Sequence, residues 1–290
     1  MSYSTIKEIE IFILADDYAA KRGFWGQHGA CYYINIKGEN NVSFLFDTGA
    51  DANPILHNAK QLKIDLSNID FIMLSHKHYD HTGGTMEILD EVKKEVPIIA
   101  HPQIFEPCFA LKPKITNIGF VNGMSKRTVE EKGGIWVISR DTMEIAPEVI
   151  TTGEVKRVND FEKEAVKGFY TIRDNRLVPD EMRDDISLVI NTEKGPIIIV
   201  GCGHAGILNI IEHVKKITGA QYIRAIVGGL HLINASNERI DKTIQGLLNH
   251  KVEELYVGHC TGLKAESMLL RAFGEKFHKL YCGQIIKFRI

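Results

Sequence analysis

The chain has 290 residues, 44% of them hydrophobic and 25% charged, enough to bury a sizeable core and ordinary for a soluble globular protein. Lysine and arginine number 35 against 37 acidic residues, and the formal charge of −2 offers no global attraction to nucleic acid. Five cysteines without paired spacing argue against a disulfide framework, and no basic-then-apolar leader or apolar run of about 20 residues is present, so the expectation is a cytoplasmic protein with no membrane or nucleic-acid partner.

In chain order, Ile9 to Leu14, Cys31 to Ile36 and Val42 to Phe46 read as strands. Asn53-Pro54 reads as a helix start, with proline at the first helical position. Ile69 to Leu74 and Pro97 to Ala100 are short apolar strands flanking a helix that begins near Gly84. Between residues 102 and 183 prolines and glycines interrupt short strand-like pieces, and this stretch is expected to be a lid or cap inserted into one domain spanning 1–290. Ile186 to Asn191 and Pro196 to Val200 form a predicted hairpin around Glu193-Lys194-Gly195. Helical spacing follows in Ile207, Ile210, Ile211, Val214 and Ile217, then a strand at Tyr222 to Val227. A helix with Ile240, Ile244, Leu247 and Leu248 inward, a strand at Leu255 to Val257 and a helix carrying Ala265, Met268, Leu269 and Ala272 complete the pattern. Strands in each half with amphipathic helices between them suit an α/β fold of two sheets packed face to face, helices outside.

The run Ser75-His76-Lys77-His78-Tyr79-Asp80-His81-Thr82-Gly83-Gly84 carries the chemistry. Three imidazoles and a carboxylate within six positions are metal-ligand types, and packing them together without a cation costs desolvation and repulsion. Alternate residues of extended chain point the same way, so His76 and His78 can grip one ion while the following turn aims Asp80 and His81 at a second.

This His-x-His-x-Asp-His spacing, after a strand and before Gly-Gly, resembles the metallo-β-lactamase superfamily, as does Phe46-Asp47-Thr48-Gly49. Within it, the chain resembles the family named for 7,8-dihydropterin-6-ylmethyl-4-(β-D-ribofuranosyl)aminobenzene 5′-phosphate synthase. That resemblance runs through Thr151-Thr152-Gly153-Glu154, Asp184 to Leu188, Gly201 to Ile207, Gly229 to Leu232 and Gly258 to Gly262. It implies the αββα sandwich and two divalent metal ions, zinc first, with manganese or iron as alternatives. It also implies that Asp47, Thr48 and Gly49 steady the metal loop, that His259 is the late histidine ligand, and that His101 lies near the site. The implied activity is a transferase in which an arylamine bearing a ribose phosphate displaces diphosphate from a pterin methylene, a step of methanopterin biosynthesis.

Two departures from the superfamily pattern leave the ligand set open. Cys202 stands where most members carry a bridging aspartate, so Cys202 or His204 can coordinate. Before Ser187, where relatives show a histidine, this chain has Asp184-Asp185, and Asp185 is taken as the replacing carboxylate. Asp80 and His204 are the catalytic candidates. For a phosphorylated substrate, possibly a pterin, the binding candidates are His101, Arg157, His231 and Gly206, where small residues open a helix N-terminus toward an anion. Hydrolysis of a phosphate or diphosphate ester is the first alternative. The second is an iron-binding or electron-carrying protein whose thiols Cys202, Cys260 and Cys282 converge.

Overall fold

The computed structural model describes residues 6–290, the side chains of 164–166 excepted. Strand Ile6–Ala15 shows how the two central layers arise. Its alternation sends Ile9, Ile11 and Ile13 to one face and Phe12 and Leu14 to the other, where a register shift after Ile13 also places Ala15, so both faces are covered. It lies in a seven-stranded sheet ordered Ile285–Arg289, Ile6–Ala15, Cys31–Gly38, Val42–Phe46, Phe71–Met73, Val96–Ala100, Gly134–Ile138. A second seven-stranded sheet runs Phe277–Lys279, Val252–Val257, Ile223–Gly228, Ile197–Val200, Leu188–Ile190, Val149–Thr151, Met143–Ala146. The inner faces meet in one core, Ile9, Ile11, Ile34 and Phe46 against Leu188, Ile197, Ile199 and Val227. Helices Ala52–Gln61 and Thr85–Val92 cover the first sheet outside. Ile207–Thr218, Asn237–Asn249 and Leu263–Phe273 cover the second. This is the expected αββα sandwich.

Strands Val42–Phe46, Phe71–Met73 and Val96–Ala100 are parallel, as are Ile197–Val200, Ile223–Gly228 and Val252–Val257. In each set the residues just beyond the carboxyl ends emerge at one edge of the sandwich. Asp47, Ser75, Gly201, Gly229 and Gly258 follow those ends, and open parallel sheets place ligands there.

Several expectations need correction. The stretch 102–183 is not one insertion, because Gly134–Ile138 extends the first sheet while Met143–Ala146 and Val149–Thr151 extend the second. What stands apart is a four-stranded sheet, Arg176–Pro179, Phe169–Arg173, Phe109–Ala110, Thr116–Asn117. The helix at Ala52 is capped by Asp51, whose carboxylate accepts from Asn53 N, so Pro54 is the third helical residue. Leu248 is exposed, because its helix turns a narrower stripe inward through Ile240, Thr243, Ile244 and Leu247. The reading also lacked Phe277–Lys279 and Ile285–Arg289, edge strands whose alternation is short.

Candidate metal centre

The metal loop is rigid because Asp47 and its neighbours bond to it from below. Asp47 Oδ1 accepts from Ser75 N at 2.7 Å, while Oδ2 accepts from Ser75 Oγ at 2.8 Å and His81 Nδ1 at 2.6 Å. Thr48 N and Oγ1 both donate to His81 O. Gly83 and Gly84 let this happen: a Cβ would sit 2.3 Å from Ala50 O at one and 2.4 Å from Thr48 O at the other. Gly49 packs against Ile55 and Gln27. These contacts place Asp47, Thr48 and Gly49 directly beneath the loop.

Those bonds decide which ring nitrogens are bare. Ser75 gives its proton to Asp47, so its lone pair receives His76 Nδ1–H at 2.9 Å and leaves His76 Nε2 an acceptor. Cys108 bonds to Asp180, and its sulfur lies 3.5 Å from His78 Nε2, leaving His78 Nδ1 facing His76 Nε2 at 3.1 Å. His81 Nδ1–H is spent on Asp47, and His259 Nδ1–H on Asp17 Oδ1 at 2.7 Å. Their Nε2 atoms are therefore both acceptors, 3.2 Å apart. Acceptors facing acceptors in a buried place call for a cation between them.

The donors form two adjoining groups. Asp80, His81, Cys202 and His259 bring one ligand atom each within 4.8 Å of the others, and so do His76, His78 and His204. A third overlapping set, Cys202, His204 and His231, joins them. In the first group Cys202 Sγ is 3.1 Å from His81 Nε2 and 3.3 Å from His259 Nε2, while Asp80 Oδ2 is 3.2 Å from His259 Nε2 and 3.6 Å from His81 Nε2. Donors about 2.0–2.3 Å from a central ion at tetrahedral angles stand about 3.3–3.7 Å from one another, and the observed 3.1–3.6 Å is close to that, a little contracted. In the second group both ring nitrogens of His204 are buried without a hydrogen-bond partner. An imidazole left so costs about 1–3 kcal/mol per unpaired atom unless something binds it. The residues fit a metal.

Electrostatics agree. Burial holds His76 and His204 well below the usual imidazole range and His78 down to about 3, so their lone pairs stay free. Burial works against ionised Asp80, yet His81 and His259 hold its carboxyl far below the usual range. Burial also works against a charge on His259, but Cys260, Asp17 and Asp80 push its pKa up, so its Nε2, an acceptor only in the neutral ring, is a place that favours a proton or a metal ion.

Two expected site residues are placed elsewhere. Asp185 is absent from the donor groups because its carboxylate accepts from the Ala205 backbone at 2.8 Å, shaping the loop that carries His204. Its neighbour Asp184 is likewise committed, to Lys77 N and Lys77 Nζ at 2.8 Å each. Gly206 does not open a free helix N-terminus: Glu162 fills it, accepting from Leu208 N and Asn209 N at 2.9 Å, and a Cβ on Gly206 would sit 2.6 Å from that carboxylate.

The other expected residues lie around the donor groups as follows. The His231 ring lies with its centroid 4.2 Å from that of His204, the planes tilted by 53°, and its Nδ1 is buried without a hydrogen-bond partner. His101 accepts from Gln103 N and lies 3.7 Å from Glu154, outside the donor groups. Arg157 donates to Met182 O and lines a cleft of about 420 Å³ with Lys156, Lys163, Arg183 and Ala205. Cys282 turns to Asp16 O and joins no donor group among the described residues, so no three-thiol set forms there.

Sequence reasoning missed Asp17, Lys77, Glu162 and Phe169. Asp17 follows a strand end on the site's edge, a signal available beforehand. Lys77, between two candidate ligands, is fully buried between Asp180 and Asp184 at 2.9 and 2.8 Å. The Glu162 and Phe169 contacts are long-range and leave no local pattern.

Comparison with known proteins follows the same line. The sequence model of the metallo-beta-lactamase superfamily matches residues 25–215. A curated protein of Methanocaldococcus jannaschii, 7,8-dihydropterin-6-methyl-4-(beta-D-ribofuranosyl)-aminobenzene-5'-phosphate synthase, is 43% identical over 99% of each chain. The crystal structure of Tm1679, described as a metal-dependent hydrolase of the beta-lactamase superfamily, superposes with a TM-score of 0.80 at 26% identity, covering 97% of this chain and 100% of that one. Zinc-bound PqqB from Methylobacterium extorquens shares the fold, with a TM-score of 0.58 at 12% identity over 96% of this chain and 99% of that one.

Proposed function

Because the chain belongs to the metallo-beta-lactamase superfamily, and within it to the family of the Methanocaldococcus jannaschii synthase, we propose that it is a metal-dependent enzyme joining a dihydropterin methylene to a phosphorylated ribofuranosyl aminobenzene with loss of diphosphate. The observation that carries this reading is the pair of adjoining donor groups at the carboxyl ends of the parallel strands. His76, His78 and His204 would hold one ion, and Asp80, His81, Cys202 and His259 the other. Zinc suits this mixture of nitrogen, oxygen and sulfur donors, with manganese or iron as alternatives. Such ions would supply positive charge to a departing diphosphate.

The remaining work falls to the chain's own residues. Asp80 Oδ2 lies 3.4 Å from His28 Nε2, which is half exposed and held by Asp17, so a proton taken at Asp80 has a short route to solvent. In the cleft beside Ala205, Lys156 and Arg157 supply positive charge for a ribose phosphate that the plugged helix N-terminus does not, while Lys163 and Arg183 there are paired with Asp160 and Glu181. His231 faces the reacting groups next to His204 and orients substrate there, while His101 supports the Glu154 side of the cleft. The four-stranded sheet is the cap. The enzyme works in the cytoplasm, and no helix among the described residues is long and apolar enough to cross a membrane.

Hydrolysis of the same diphosphate is the second reading, favoured by the description of Tm1679 as a hydrolase. One assay separates them: diphosphate release from a dihydropterin methyl diphosphate, with and without the arylamine. Release that requires the amine supports the synthase, release that ignores it supports the hydrolase, and no release with either refutes both.

A further inference from the structure

The cap touches the metal centre through one aromatic ring. Phe169 opens strand Phe169–Arg173, and its ring centroid lies 4.8 Å from that of His78, 5.3 Å from His204 and 6.0 Å from His231. Toward His78 and His204 the planes meet at 65° and 89°, so an apolar ring stands edge-on over two candidate ligands. The ring is half-buried, leaving part of it toward solvent.

Three contacts hold it there. Phe169 O accepts from Asp180 N at 2.9 Å, and the Asp180 carboxylate lies 2.9 Å from Lys77 Nζ, buried between the two loop histidines. Phe169 pairs with Ala110, two residues beyond Cys108, whose sulfur touches His78. Upstream, Glu162 plugs the helix that begins just after His204. The strand carrying Phe169 is thereby tied to both segments that bear the His76–His78–His204 group.

We propose, resting on the synthase reading above, that Phe169 is the specificity-determining residue that makes an amine rather than water the acceptor. In transfer, the amine lone pair forms a C–N bond at the pterin methylene. The C–O bond to diphosphate breaks, its electron pair leaves with diphosphate, and the nitrogen then gives up a proton. Water in the nitrogen's place forms a C–O bond and releases the same diphosphate. An apolar ring standing over His78 and His204 denies water that place, and excluding water is how sites suppress such side reactions.

The test compares wild type, Phe169→Ala and Phe169→Leu at equal metal content. Diphosphate released without arylamine is divided by coupled product formed with it. Separately, metal-free protein is treated with diethyl pyrocarbonate, and modification of His78 and His204 is mapped by mass spectrometry. Phe169→Ala should raise the ratio about tenfold and speed labelling of His204 by a similar factor, while Phe169→Leu restores both toward wild type. An unchanged ratio and unchanged labelling in Phe169→Ala overturn the proposal. Should wild type release no diphosphate at all, the synthase reading fails instead. The labelling then decides by itself whether the ring is a roof: faster labelling keeps it, unchanged labelling removes it.

Discussion

The His76–His78–His204 group and the Asp80–His81–Cys202–His259 group lie side by side, yet their surroundings differ. Phe169 covers His78 and His204 of the first, whose three candidate ligands are neutral imidazoles. The second contains a carboxylate and a thiol, and it is bordered by Asp17 and His28, whose side chains are 37% and 52% exposed. Charged groups are costly to isolate from water, whereas neutral nitrogens tolerate a dry pocket. The fold has placed its ionised carboxylate, Asp80, beside the opening and its neutral imidazoles under the cap.

Replacing His76 and His78 together with alanine tests the covered group most severely. The double variant should lose the metal of that group and at least about a thousandfold of turnover, since residues acting as a unit fail together. Metal content and diphosphate release check this; retained activity would remove the covered group from the chemistry. Next in size is Lys77→Met, which leaves the Asp180 and Asp184 carboxylates buried without their cation. Breaking a buried ion pair from one side costs about 3–5 kcal/mol, so the urea midpoint should fall sharply. Adding Asp180→Asn and Asp184→Asn should recover part of that loss. If Lys77→Met alone unfolds like wild type, the cap is not anchored through the metal loop.

The first group and the second were unequally legible from residues alone. His76, His78, Asp80 and His81 sit in six consecutive positions, so local spacing revealed both halves of the centre at once. His204, Cys202 and His259 come from separate strand ends, and only the Gly-rich turns around them marked them. Asp185 misled because a carboxylate near the right sequence position was committed to the Ala205 backbone, a contact that needs the folded loop. Gly206 misled for a similar reason, since a glutamate 44 residues earlier occupies the helix end. The αββα layers were readable because strand and helix periodicities are strong, while the cap was blurred by strands of two to five residues.

Glu162 sharpens the comparison from the cap side through pH. Burial pushes its carboxyl up to about 7, although Leu208 N and Asn209 N favour the ionised form. The unfolded chain gives up this proton near 4.5, so between pH 4.5 and about 7 the native state holds more protons. Stability from this group therefore falls as pH rises through that window, by up to about 3 kcal/mol. In Glu162→Gln that part of the slope should vanish, read as urea midpoints from pH 4.5 to 7.5 for both proteins. Identical slopes would show that Glu162 is ionised throughout.

The smallest expected effect lies at the open group. Asp17 Oδ1 holds the Nδ1 proton of His259, and Oδ2 lies 2.8 Å from His28 Nδ1. Removing a carboxylate that orients a ligating histidine lowers metal affinity by about 10–100-fold, because the ring loses both its tautomer and its basicity. Asp17→Asn keeps the shape and removes the charge, so the affinity of the open group should weaken by that factor while the covered group keeps its ion. Competition with a chelator, following the two ions separately, reads this directly. Were both ions lost together, the two groups would be one cooperative unit, and the contrast between a dry side and a wet side would not extend to how each holds its metal.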